Sequence, residues 1–248
     1  PKYGFHLDER RRGTTHFEVT GRPRDLAEWG ALGAIVGRRM QSYWEVPVLS
    51  GLGAPVTSDE IKQFGAALAS YGSTPLFHMI GVTPEAPNLD AVFDGPVPAA
   101  AKLGRHDIEA LMASYRPVDD RLDVVVFAAP QLSLYELRTL AGLLDGRRLA
   151  NSVAMLVATS PDLKSAADRM GLTATIEAAG ATVLSGVCFY QMYAREIGQA
   201  NGWVRLMSNS AKLVNILGGY GYEPILASME ACVASAVAGR IVGSEGVA

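Results

Sequence analysis

Five short apolar runs in the second half of the chain restrict its fold more than any other feature. They are DVVVFAA at 123–129, VAMLVAT at 153–159, TVLSGV at 182–187, WVRLM at 203–207 and PILA at 224–227. Stretches of helical periodicity separate them, beginning at 133, after Ser160-Pro161, and near 190, 210 and 229. Strands that are apolar throughout are buried on both faces, the condition of a parallel sheet covered by helices on either side. Residues 117–248 are therefore expected to form an α/β domain with a mostly parallel sheet in three α/β/α layers.

Residues 1–116 read as a mixed α/β region. HFEVT (16–20) has the pattern of a strand, and 24–40 is helical with Leu26, Trp29, Leu32, Ala34 and Val36 as its apolar set. Thr57-Ser58-Asp59-Glu60 opens a second helix to about Tyr71, with Asp or Ser as its cap. TPLFHMIGV (74–82) suggests a buried strand, 88–103 a loop or linker, and 107–114 a helix.

Composition narrows the functional classes. Of 248 residues, 49% are hydrophobic and 19% charged, enough for one large core or two modest ones. A net charge of -3 offers no basic footprint, so nucleic acid is not an expected partner, and Arg10-Arg11-Arg12 reads as a solvated face. No apolar run approaches a membrane span and no signal peptide is evident. Two cysteines, Cys188 and Cys232, are too few for a disulfide framework, so a cytoplasmic protein is expected. The chain opens Pro1-Lys2-Tyr3-Gly4 without methionine, and its N-terminus is expected to be a fragment boundary.

The common catalytic motifs are missing: no phosphate loop, no G-x-G-x-x-G after a strand, no nucleophile elbow and no H-E-x-x-H. His6, His16, His78 and His106 lack metal-ligand spacing. Position is more informative. Ligands of an open parallel sheet bind beyond the carboxyl ends of its strands. Cys188 follows the run ending at Val187, Ser208-Asn209-Ser210 follows the one ending at Met207, and Ser228 follows PILA, with Cys232 in the next helix's first turn. These residues are expected at one edge of the sheet. A thiol in a helix's first turn is biased toward thiolate, the form that binds metal. The bland reading of Ser208 to Lys212 is a helix cap with a solvated lysine. The functional reading is an anion site, because a lysine near a helix N-terminus is favourable only when a negative ligand accompanies it.

Several stretches resemble the large catalytic subunit of the aconitase X family. SNSAK (208–212) is similar to its Thr-Asn-Ser-Ala-Lys motif, LFHMIGVTPEA (76–86) to its Tyr-His-x-x-Gly-x-Thr-Pro-Glu segment, and YGFHLDERRRGT (3–14) to its Tyr-Gly-x-His-x-x-Glu-x-Arg stretch. MEACVASAVAGR (229–240) resembles a terminal helix of the family, with Cys232 and Cys188 at recurrent cysteine positions. The resemblance implies an aconitase-like fold and a hydro-lyase acting on a small hydroxy acid, such as cis-3-hydroxy-L-proline or phosphomevalonate. It further implies an iron–sulfur cluster or mononuclear iron held by Cys188, Cys232 and a further cysteine from outside this chain. Ser208, Asn209, Ser210, Lys212 and His78 would bind substrate. Implied partners are a small swivelling subunit or domain and a preceding N-terminal portion; without them the chain is expected to be inactive. Arg- and Ala-rich composition leans bacterial, hence toward hydroxyproline. Two departures keep an alternative open, a non-catalytic paralogue that binds a ligand or partner. Gln131 and Asn215 stand where the family usually has histidines, and amides do not transfer protons near neutral pH.

Overall fold

The computed structural model describes residues 3–53 and 55–242, so Pro1, Lys2, Ala54 and residues 243–248 lie outside the described residues. The chain divides into two compact units, Pro1–Ala113 and Ser114–Ala248.

In the first unit β1 (Thr15–Val19) leads to α1 (Leu26–Met40), β2 (Pro47–Ser50), α2 (Ser58–Gly72), β3 (His78–Met79), β4 (Ala101–Leu103) and α3 (Arg105–Ala113). The strands form one sheet, ordered β3-β2-β1-β4, and every pairing is parallel. Asp25 caps α1 by accepting the Glu28 N–H at 2.9 Å. Thr57, rather than Ser58 or Asp59, caps α2, in a capping box with Glu60. Alternation along β1 buries Phe17 and Val19 on one face. On the other, Val48 packs with Ala86, Val92 and Phe93 of the long segment after β3.

Three local expectations change. The strand expected over 74–82 shrinks to His78–Met79, because the chain turns at once: Gly81 adopts φ +73° and bonds across to Ala86. β2 was hidden by Pro47 at its first residue, a position where the missing N–H is tolerated. β4 lies inside the segment read as a linker, a three-residue strand paired to β1.

The second unit runs β5 (Val124–Leu132), α4 (Leu134–Leu144), β6 (Ala154–Thr159), α5 (Pro161–Arg169), α6 (Leu172–Ala178), β7 (Thr182–Ser185), α7 (Ala194–Asn201), β8 (Arg205–Ser208), α8 (Ala211–Leu217), β9 (Glu223–Leu226) and α9 (Met229–Ala238). Its sheet is ordered β7-β6-β5-β8-β9 and is again parallel in every pairing. Val125, Phe127 and Met207 face a core closed by α4, α6 and α9. Val124, Val126 and Leu206 face a second core closed by α7 and α8. This is the three-layer α/β architecture expected for residues 117–248. The break between α5 and α6, unexpected from periodicity, falls at Gly171 with φ +75°, a left-handed conformation that glycine adopts without strain. Among the described residues no helix is long and apolar enough to cross a membrane.

Candidate functional site

From β5 the second sheet builds outward through β6 and β7, then the chain crosses back to form β8 on the opposite side of β5. That reversal opens a switch point between β5 and β8, where ligands of open α/β sheets bind. The joint at the end of β8 is Ser208, its last residue, with Asn209 and Ser210 beyond it, and the segment beyond Phe127 of β5 is Ala128-Ala129-Pro130-Gln131, where the β5–β6 register breaks.

The joint is a buried, hydrogen-bonded knot. Ser210 is the N-cap of α8, its Oγ accepting the Leu213 N–H at 3.1 Å. The same hydroxyl donates to the Ala129 carbonyl at 2.6 Å, which holds a non-glycine residue at φ +50°. The Ser210 hydroxyl is thus spent within the joint. Ser208 Oγ accepts the Ser210 N–H at 3.2 Å and keeps its own proton available. Asn209 is 2% exposed, and its buried Nδ2 has no hydrogen-bond partner among the described residues. An orphaned buried donor of this kind costs stability of about 1–3 kcal/mol unless a ligand or water satisfies it. Lys212, half-buried in the first turn of α8, forms no ion pair among the described residues.

The joint also links the two cysteine loops. Gln131 Nε2 donates to the Val187 carbonyl, next to Cys188, at 3.0 Å. On the other side the Ala227 N–H donates to the Ser208 carbonyl at 3.0 Å, and Cys232 Sγ lies 3.9 Å from the Ala227 carbonyl oxygen. Both cysteines are free thiols at the carboxyl ends of strands, Cys188 after β7 and Cys232 in the first turn of α9. They approach that edge from different faces. Cys188 packs against the core of Val124 and Val126, whereas Cys232 is fully buried in the core of Val125 and Phe127. As donors the thiols fit an iron centre, but two do not complete one, and the described residues contain no group of three or more metal-ligating side chains. The phenol of Tyr190 is pushed above its ordinary value, first by burial and then by the neighbouring Cys188 thiol.

His78 belongs to the first unit. Its Nε2 carries a proton to the Arg11 carbonyl at 2.6 Å, since a carbonyl can only accept. Beside it the Arg11 guanidinium grips Glu85 in a bidentate pair, and that hydrogen bonding holds the Glu85 carboxyl below the usual carboxylate range. Two cavities of about 230 and 380 Å³ share Arg11, His78 and Glu85 as lining. Sequence reasoning passed over the partnerships of Gln131 and Ala129, which join residues far apart in the chain and have no local signature.

An open parallel sheet with buried polar groups gathered at its switch point defines a class, the α/β proteins that hold a small ligand beyond the strand tips. Comparison with known proteins is more specific. Residues 13–113 match the aconitase X second domain and residues 122–238 the aconitase X third domain. The chain belongs to the aconitase X family. It is 35% identical to the cis-3-hydroxy-L-proline dehydratase of Pseudomonas aeruginosa, over 97% of this chain and 42% of that protein. It is 34% identical to the phosphomevalonate dehydratase large subunit of Methanothermobacter thermautotrophicus, over 88% of this chain and 52% of that subunit. The crystal structure of Thermococcus kodakaraensis aconitase X in its holo-form matches with a TM-score of 0.81 and 25% identity, over 95% of this chain and 58% of that one. The chain thus spans about half the length of the curated relatives it matches.

Proposed function

We propose that these residues belong to a cytoplasmic hydro-lyase of the aconitase X type, which removes water from a small hydroxy acid such as cis-3-hydroxy-L-proline. The observation that carries this reading is that, among the described residues, the buried amide of Asn209 has no hydrogen-bond partner and Lys212, three positions on, has no ion pair, at the switch point. A carboxylate seated there satisfies both, accepting from the buried amide and neutralising the ammonium. Ser208, Asn209 and Lys212 hold the acid group, and Ser210 fixes the joint that carries them. Cys188 and Cys232 would hold an iron–sulfur cluster or a single iron, with a further cysteine from outside this chain. When bound, that centre supplies a Lewis acid for the departing hydroxyl. The small swivelling subunit or domain and an N-terminal portion complete the assembly, and residues 1–248 alone are inactive.

The test is anaerobic purification of the full-length protein with its small subunit, followed by NMR of cis-3-hydroxy-L-proline. Loss of the hydroxylated-carbon signals with formation of the unsaturated product is expected. Binding without turnover in the metal-loaded assembly overturns the enzyme and leaves the second reading, a non-catalytic paralogue. One observation favours that second reading: the Gln131 amide, where the family usually has histidine, is committed to the Val187 carbonyl.

A further inference from the structure

Cys188 of the second unit lies between two anchors, and one of them is a side chain from another strand. Gln131, near the end of β5, donates from Nε2 to the Val187 carbonyl at 3.0 Å. A carbonyl accepts only, so the nitrogen is the end of the amide that faces it. The bond joins β5 to the loop after β7, strands that are not neighbours because β6 lies between them. On the far side of the thiol, Phe189 is 1% exposed and packs into the core of Val124 and Val126.

The two anchors act on a single residue. The Val187 carbonyl belongs to the planar peptide that also contains the Cys188 nitrogen, so holding the oxygen holds that plane. The buried Phe189 ring holds the residue that follows. Cys188, extended at φ -120° and ψ 124°, is left with little freedom to redirect its Cα–Cβ bond. A second tie runs beside the first. Thr159 Oγ1 donates to the Leu132 carbonyl at 2.8 Å, and the Gly186 N–H donates to the Thr159 carbonyl at 2.9 Å. That tie ends at Gly186 and does not reach the peptide plane of the thiol. The end of β5 also serves the joint after β8, because the Ala129 carbonyl accepts from Ser210 Oγ at 2.6 Å.

From this geometry we propose that Gln131 is a positioning residue for Cys188, its amide aiming the thiol relative to the switch point by fixing the preceding peptide. Gln131 acts through the Val187 carbonyl and on no reacting atom. Without the donor that peptide is free to rotate and the thiol turns with it, while the strands stay paired. The consequence for an iron centre rests on the hydro-lyase reading; the tether itself does not.

Two variants of the full-length protein with its small subunit test this. Gln131→Met keeps the length and removes the donor, and Gln131→Glu keeps the shape and turns an acceptor toward the carbonyl. The Gln191 and Met192 amides close onto the Cys188 and Phe189 carbonyls, and their hydrogen exchange should quicken about three- to tenfold in both variants. The Cys232 amide, bonded to the Ser228 carbonyl, should exchange as before. Alkylation of Cys188 by iodoacetamide in the iron-free protein, and release of iron to a chelator from the loaded protein, should quicken by a similar factor. Unchanged exchange, alkylation or iron release in both variants overturns the proposal. So does a lowered melting temperature with these local rates unaltered, which would make Gln131 a structural tie alone. Failure of the hydro-lyase reading looks different: exchange and alkylation respond as stated, but the protein neither takes up iron nor dehydrates a hydroxy acid.

Discussion

Replacing Ser210 by Ala tests whether the joint beyond β8 is held as described. Its hydroxyl performs two tasks with one oxygen, accepting the Leu213 N–H at 3.1 Å and donating to the Ala129 carbonyl at 2.6 Å. Losing an N-cap serine costs about 1 kcal/mol. Leaving the carbonyl of Ala129, itself 5% exposed, without its donor adds about 1–2 kcal/mol. The side chain is 1% exposed, so water does not replace the lost hydroxyl without local opening. The sum is about 2–3 kcal/mol, a fall in melting temperature of about 4–12 °C for a chain of this size. Equilibrium urea unfolding and a thermal melt of residues 1–248 both read it. Ligand affinity of the full assembly should move far less than stability, because the hydroxyl is committed internally. A loss below about 0.5 kcal/mol, or a large affinity change at unchanged stability, would refute this account of the joint.

Asn209→Ala and Lys212→Met should behave oppositely, costing about ten- to a hundredfold in acid-ligand affinity by calorimetry while stability holds or rises, since each removes an unpaired group. Gly33→Ala should destabilise the first unit by about 3 kcal/mol in a circular-dichroism melt, because a Cβ there would overlap the Phe64 carbonyl where α1 crosses α2. Burial alone would push the Asp123 carboxyl up, but the Val204 and Arg205 N–H groups, each at 2.8 Å, and Arg121 outweigh it and hold it below its ordinary 3.8. A depressed carboxylate stabilises the fold above its unfolded value, and that stability is lost as pH falls through the folded one. The urea midpoint should therefore drop as pH is lowered below 3.8, and the drop should be shallower in Asp123→Asn.

Legibility followed the range of the interactions. The strands around 124–127, 154–159 and 205–208 stood out because full burial on both faces demands unbroken apolar runs, a local property. The start of α2 was readable from Thr57-Ser58-Asp59-Glu60, but the cap was misassigned to Ser58 or Asp59, because which hydroxyl or carboxylate reaches the N3 amide is settled only when Thr57 closes a capping box with Glu60. β4 was not readable, because three residues of Ala-Lys-Leu form a strand only through pairing with β1. In the candidate site, the Ser-Asn-Ser joint was legible as a strand-to-helix boundary. That its serine would be consumed by Ala129, 81 positions earlier, was not.

The sequence by itself determined the alternation of buried strand and helix, the placement of both cysteines and of Ser208 to Lys212 just beyond strand ends, and the family, all of which reside in local pattern and motif. Only the tertiary structure decided the strand orders that put a switch point between β5 and β8 and another between β1 and β4. It alone assigned the thiols to opposite cores, left Asn209 Nδ2 without a partner among the described residues, and set Ser50 against His16. The reason is that parallel strands are joined by long crossovers. Which strand lies beside which, and so which side chains meet, is chosen by packing across the whole sheet and is carried by no single stretch of chain.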